Sequence, residues 1–302
     1  MKKLVLLAGL CLFSLQATAA KVVISHELGE TEVEQDPQRV VVLGVGPLDA
    51  IDQLGISPVA VTKFPSTPSY LQKYQSDDYP SAGSLFEPDF ENIYMQKPDV
   101  IITGPRNAKH YAELSKIAPT IMYSVDGNLP FWQTTQQQWR NLGILFNKQQ
   151  WVEDKIAKVS AEFSAIKGEN TASPKTALMV MSSGGNVSAF GAKSRFSPLF
   201  EEFGFKEAVK DIKTGRHGDV VSFEFIQEKN PQVLFILDRD SLVNKGHSTT
   251  HEDFDNSLIH ATDAYKNGHI VYLDVNAWYV DIAGMHAVDT MLSDIKQVVE
   301  SK

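Results

Sequence analysis

The sequence predicts an α/β protein built as two Rossmann-like lobes joined by one long α-helix. Three observations carry this expectation. Short uninterrupted apolar runs alternate with helix-like stretches, as strands covered on both faces and their crossover helices require. A segment recurs at a constant offset of 133 residues. Between the two copies lies the most regular apolar periodicity in the chain.

Taken in order, Lys2 and Lys3 precede an apolar run from Leu4 to Leu15 and a small-residue exit at Ala17-Thr18-Ala19, the pattern of a secretory leader. Residues 1–20 are expected to be removed. A membrane span is the competing account, but the run falls short of the roughly 20 apolar residues a span needs and no stop-transfer pattern follows. A lipid anchor at Cys11 is disfavoured because Leu10 stands where a small residue would precede a lipidated cysteine. Cys11 is the only cysteine, so the chain after its leader can form no internal disulfide and no thiolate metal site. The net charge of −9 argues against a nucleic-acid partner and requires any anion site to be local.

After a short strand at Val22 to Ser25, buried strands are expected at Val40–Leu43, Val100–Ile102, Leu178–Met181, Val233–Leu237 and Ile270–Leu273. In the repeat, Phe90, Glu91, Ile93, Pro98, Val100 and Arg106 match Phe223, Glu224, Ile226, Pro231, Val233 and Arg239 without a gap. Each copy reads as a helix ended by proline, a buried strand and an arginine just beyond it. Coincidence within a common helix-to-strand pattern is the competing account; two similar lobes is the preferred one. The long helix is expected after Asn147 as N-cap, with Gln150 three residues on, and Val152, Ile156, Val159, Phe163 and Ile166 on one face. Gly168 to Pro174 reads as a loop. The expected division is therefore 21–146 for the first lobe, 147–168 for the helix and 169–302 for the second lobe. A continuous helix resists the dihedral changes of loop hinges, so lobe closure should be small.

In parallel sheets the ligand crevice lies beyond the carboxyl ends of the strands. Arg106 and Arg239 fall there, and Arg195 lies in another loop; a guanidinium fork suits delocalised oxygen anions such as catecholates or carboxylates. The alternative for each is a surface arginine neutralised by a nearby acid, above all for Arg239, which Asp238 and Asp240 flank. His217 sits in the glycine-flanked stretch Gly215-Arg-His-Gly, and Tyr279 follows the last strand. A tyrosinate is a hard donor for ferric iron and imidazole a borderline one; an ordinary loop histidine and a half-buried packing aromatic are the alternatives. Trp278 reads as wall or core. The remaining histidines show no zinc-like spacing and read as solvated. Ser182-Ser-Gly-Gly has no nucleophile-elbow pattern, and Gly44-Val-Gly-Pro lacks the third glycine and downstream acid of a dinucleotide site. No catalytic triad assembles, and no enzyme is expected.

These residues resemble a known family, the class III periplasmic siderophore-binding proteins, in the branch that takes enterobactin-like ferric catecholates. The resemblance rests on Pro37-Gln-Arg-Val-Val-Val-Leu-Gly, Glu87-Pro-Asp-Phe-Glu with Lys97-Pro-Asp-Val-Ile-Ile, Arg106 ahead of Ile117-Ala-Pro-Thr, Ser194-Arg-Phe, His217-Gly, Asn230-Pro with Asp238-Arg, and Trp278-Tyr279. It implies that Arg106, Arg195 and Arg239 line a cationic pocket, and that His217 and Tyr279 complete the iron shell when the siderophore offers too few donors. Pro105 departs from the pattern and leaves the direction of Arg106 open. The resemblance further implies an inner-membrane ABC transporter as partner, docked through Glu91 and Glu224, a monomer in the periplasm, and a ferric siderophore as ligand with no intrinsic cofactor. A haem or cobalamin carrier on the same scaffold, or a periplasmic metal-dependent enzyme built around His217, are the other readings.

Overall fold

The computed structural model describes residues 20–212, 218–244 and 247–300. The expected leader, apart from Ala20, and His217 lie outside the described residues. The chain opens with an antiparallel pair, β1 (Lys21–His26) and β2 (Gly29–Glu34). Four parallel strands follow, β3 (Val40–Leu43), β4 (Ala60–Val61), β5 (Val100–Thr103) and β6 (Thr120–Met122), in the spatial order β4-β3-β5-β6. Every residue of β3 and β5 is buried, which is why these strands read as unbroken apolar runs rather than alternating ones.

The second sheet contains β7 (Thr176–Ser183), β8 (Asn186–Phe190), β9 (Lys206–Glu207), β10 (Asp219–Val221), β11 (Val233–Asp238) and β12 (Ile270–Leu273). Its order is β10-β8-β7-β11-β12, with β9 also beside β7. β7, β11 and β12 are parallel, β8 runs antiparallel to β7, and β10 runs antiparallel to β8. The hairpin from β7 to β8 turns at Gly184 and Gly185, both at positive φ, a turn whose twist matches the strands. That turn is the role of the Ser-Ser-Gly-Gly stretch.

Six helices matter to the site: α1 (Val45–Gln53), α2 (Phe90–Met95), α3 (Phe131–Leu145), α4 (Gln149–Ala172), α5 (Phe223–Lys229) and α6 (Met285–Glu300). The repeat is visible down to its backbone. Asp89 accepts the Asn92 N–H at the start of α2, and Ser222 accepts the Phe225 N–H at the start of α5. Each copy then ends on a residue at positive φ just before its proline, Lys97 at 47° and Asn230 at 42°. The strand that follows pairs in parallel with the first strand of its sheet, Val100 with Val40 and Val233 with Ala177.

α4 is the connection between the sheets and buries Val152, Ile156, Val159, Phe163 and Ile166, the apolar face read from the sequence. Its ends differ from expectation. Asn147 is not the N-cap: it takes φ 52° in the tight link after α3, a conformation asparagine tolerates, and Lys148 flanks the first turn without a side-chain cap. The helix also runs through Gly168 to Ala172 instead of stopping near Ile166. The buried Asn170 side chain donates to Phe203 O at 2.7 Å, a long-range contact that local propensity does not register.

Candidate functional site

Arg239 lies immediately after β11, at the start of a one-turn helix, and Arg106 lies in a 3-10 turn (Pro105–His110) that follows β5. Tyr279 sits on a π-helical turn, Asn276–Val280, beyond β12. These elements converge. Arg239 donates through Nε to the Tyr279 hydroxyl at 3.1 Å and through Nη1 to Ser183 Oγ at 2.7 Å. Arg195 lays its guanidinium 4.3 Å from the centre of the Tyr279 ring, within range of a cation–π contact. Arg106 approaches the same residue from the first sheet, with Nη2 donating to Tyr279 O at 3.3 Å and Nη1 reaching Val280 O at 3.5 Å.

The two acids that flank Arg239 are engaged elsewhere. Asp238 accepts from Ser241 N–H and the hydroxyls of Ser248 and Thr250, and Asp240 accepts the Gly184 N–H. The Arg239 guanidinium turns instead to Tyr279 and Ser183. Burial by itself pushes the Tyr279 phenol up, but the Arg239 hydrogen bond and the charges of Arg195 and Arg239 outweigh it, so the group lies below the usual tyrosine range. A half-buried phenol between two guanidinium groups that favour its anion can bind a hard cation, and the forks beside it can bind that cation's anionic chelator.

A cavity of about 100 Å³ opens beside Arg106 at the ends of β3, β5 and β6, walled by Gly44, Gly104, Tyr123 and Val280. Glycine is required in its wall at Gly46, where a Cβ would stand 2.4 Å from Ile282 O. A larger open groove, about 1150 Å³, runs from the polar faces of α3 and α4 to Lys193 and Ser194; it lies next to the arginine cluster, not at it. Among the described residues no three His, Cys, Asp or Glu side chains form a metal-binding group, and no helix is long and apolar enough to cross a membrane.

Four of the five expected ligand residues thus meet at Tyr279, and the fifth, His217, falls outside the described residues. Glu91 and Glu224 are exposed on the first turns of α2 and α5. The Ser222 hydroxyl, hydrogen-bonded to Glu224, holds that carboxyl below its usual range. Trp278 is core, with Nε1 donating to Asp294 at 2.9 Å. The reading of the other histidines as solvated needs correction: His26, His110 and His286 are partly buried against Tyr111, Phe90 and Tyr70, because the flat imidazole ring packs well against an aromatic one. Sequence reasoning missed Ser183 and the buried acids Asp49 and Asp281, none of which stands in a recognisable spacing.

A family model described as periplasmic binding protein matches residues 40–277. Among solved structures, the periplasmic catecholate-siderophore binding protein VctP of Vibrio cholerae shares 56% identity, with a TM-score of 0.89, over 92% of this chain and all of that one. The petrobactin-binding protein YclQ of Bacillus subtilis is 34% identical over 93% of this chain and 89% of its own length. The ferric-anguibactin-binding protein FatB of Vibrio anguillarum is 33% identical over 93% and 88%. With two sheets bridged by a single long helix and a match over most of its length, this chain belongs to the periplasmic binding protein family.

Proposed function

We propose that this protein captures a ferric catecholate siderophore between its two sheets and delivers it to an inner-membrane ABC transporter for iron uptake. The observation that carries the reading is the placement of Tyr279, hydrogen-bonded by Arg239, stacked on by Arg195 and held at its carbonyl by Arg106. The three relatives named above each take a siderophore by name, which favours this ligand over haem or cobalamin. The protein is a binder and not an enzyme, and acts as a monomer. The two sheets with their helices serve as lobes on either side of α4, close to the division at 21–146, 147–168 and 169–302. Residues 1–20 serve as a cleaved leader that sends the chain to the periplasm.

Within this reading the iron is cargo. A hexadentate tris-catecholate fills the octahedral shell of ferric iron, whereas a tetradentate bis-catecholate leaves two sites for Tyr279 and His217. Glu91 and Glu224, one beside each sheet, face the transporter. The test compares visible spectra and affinities of the wild type, Tyr279→Phe and His217→Ala with ferric bis- and tris-catecholates. A phenolate-to-iron charge-transfer band and a loss confined to the bis-catecholate are expected. Equal loss with both ligands would reduce the two residues to pocket lining.

A further inference from the structure

The segment that carries Tyr279 passes from one sheet to the other. β12 belongs to the second sheet, yet by Ala283 the backbone is held by side chains of the first. Tyr123 Oη and Trp139 Nε1 both donate to Ala283 O, at 2.6 and 2.8 Å. Asp49, on α1, accepts the N–H groups of His286 at 2.9 Å and Ala287 at 3.0 Å, at the start of α6. Ala283 itself takes φ 66°, a costly conformation for a residue with a Cβ that persists only where surrounding contacts enforce it.

Beneath this crossing lie two carboxyl groups, Asp49 and Asp281, both fully buried. They face one another across Gly284, where a Cβ would stand 2.1 Å from Asp281 Oδ1 and 2.2 Å from Asp49 Oδ2. Asp281 Oδ2 accepts the Tyr70 hydroxyl at 2.6 Å. Its Oδ1 has no hydrogen-bond partner among the described residues, and stands beside Asp49 Oδ2 over Gly284. Among the described residues no lysine or arginine ion-pairs with either; Lys73 pairs with Asp52 instead. A buried acid pair is costly to keep, and Asp281 stands two residues after the ligand tyrosine.

We propose that Asp49 and Asp281 are positioning residues for the ligand site, Asp281 tying the Tyr279 turn to the Tyr70 hydroxyl and Asp49 tying the start of α6 to α1. The phenol is thereby presented to the second-sheet arginines from a mount fixed in the first sheet. Arg106 adds a further tie through the carbonyls of Tyr279 and Val280. This rests on Tyr279 as an iron ligand.

The experiment compares wild type, Asp49→Ala, Asp49→Asn and Tyr279→Phe, each checked by circular dichroism, with a ferric bis-catecholate and a ferric tris-catecholate. Asp49→Ala is expected to bind the bis-catecholate about tenfold more weakly, the scale of one lost buried hydrogen bond, with a shifted or weakened charge-transfer band. Asparagine keeps an acceptor for α6 and a donor for Asp281, so Asp49→Asn should recover both band and affinity. Wild-type band and affinity in Asp49→Ala overturn the positioning role. If instead Tyr279→Phe matches wild type with the bis-catecholate, the iron-ligand reading fails and takes this inference with it. Should Asp49→Ala not fold, Tyr70→Phe removes only the hydroxyl that Asp281 accepts; an unchanged band and affinity there overturn the proposal equally.

Discussion

The two copies of the repeat deliver an arginine to the same place, the end of a buried parallel strand, and put it to different use. Arg106 reaches the backbone carbonyls of residues 279 and 280, while Arg239 reaches the phenol of Tyr279. The strands, caps and prolines before them are alike. The scaffold therefore fixes where each guanidinium stands, and the segment after β12 fixes what it touches. A repeated fold supplies position; a single unrepeated turn supplies chemistry.

The glutamates are where the copies should behave alike. Glu91→Ala with Glu224→Ala is expected to abolish iron uptake in cells while affinity in vitro stays at the wild-type level, because both side chains are exposed on helix first turns away from Tyr279. Normal uptake by the double variant would leave them only their favourable charge at a helix N-terminus, about 0.3–1 kcal/mol each.

Where the two copies meet, the acids under the Tyr279 turn make its hold depend on pH. Burial pushes the Asp49 and Asp281 carboxyls well above their ordinary range. The folded chain then keeps a proton that the unfolded chain releases, so this contribution to stability is full in acid and falls as pH rises through and above the ordinary carboxylate range. Chemical unfolding from pH 4 upward should show that decline, and Asp49→Asn should flatten it. An equal slope in both proteins would place the proton linkage elsewhere.

The smallest expected effects are at the caps. Asp89→Ala and Ser222→Ala should each lower stability by about 1 kcal/mol, measured by denaturant midpoint, with ligand affinity unchanged. A difference in affinity between them would show that one copy's helix start also shapes the cleft.

The same contrast explains what could be read from the residues. Buried strands leave apolar runs, a repeat leaves a constant offset, and α4 leaves a one-sided stripe, so the architecture and the positions of Arg106, Arg239 and Tyr279 were all legible. Asn147 resembled an N-cap because asparagine favours both caps and left-handed links, and only the neighbouring α3 decides between them. The end of α4 depends on Asn170 bonding to Phe203 O, and the acid pair joins Asp49 to Asp281. Contacts so distant in sequence leave no periodicity or spacing to find.

The most direct test of the account is the affinity of Arg239→Ala and Arg106→Ala for a ferric bis-catecholate, followed by quenching of intrinsic tryptophan fluorescence with circular dichroism as a check on the fold. Arg239→Ala should cost about 1.5–3 kcal/mol, the scale of a charge-assisted contact in a partly desolvated site. Arg106→Ala, which loses backbone ties, should cost less. Equal losses, or none in either variant with the fold intact, would contradict the claim that Tyr279 divides the roles of the two arginines.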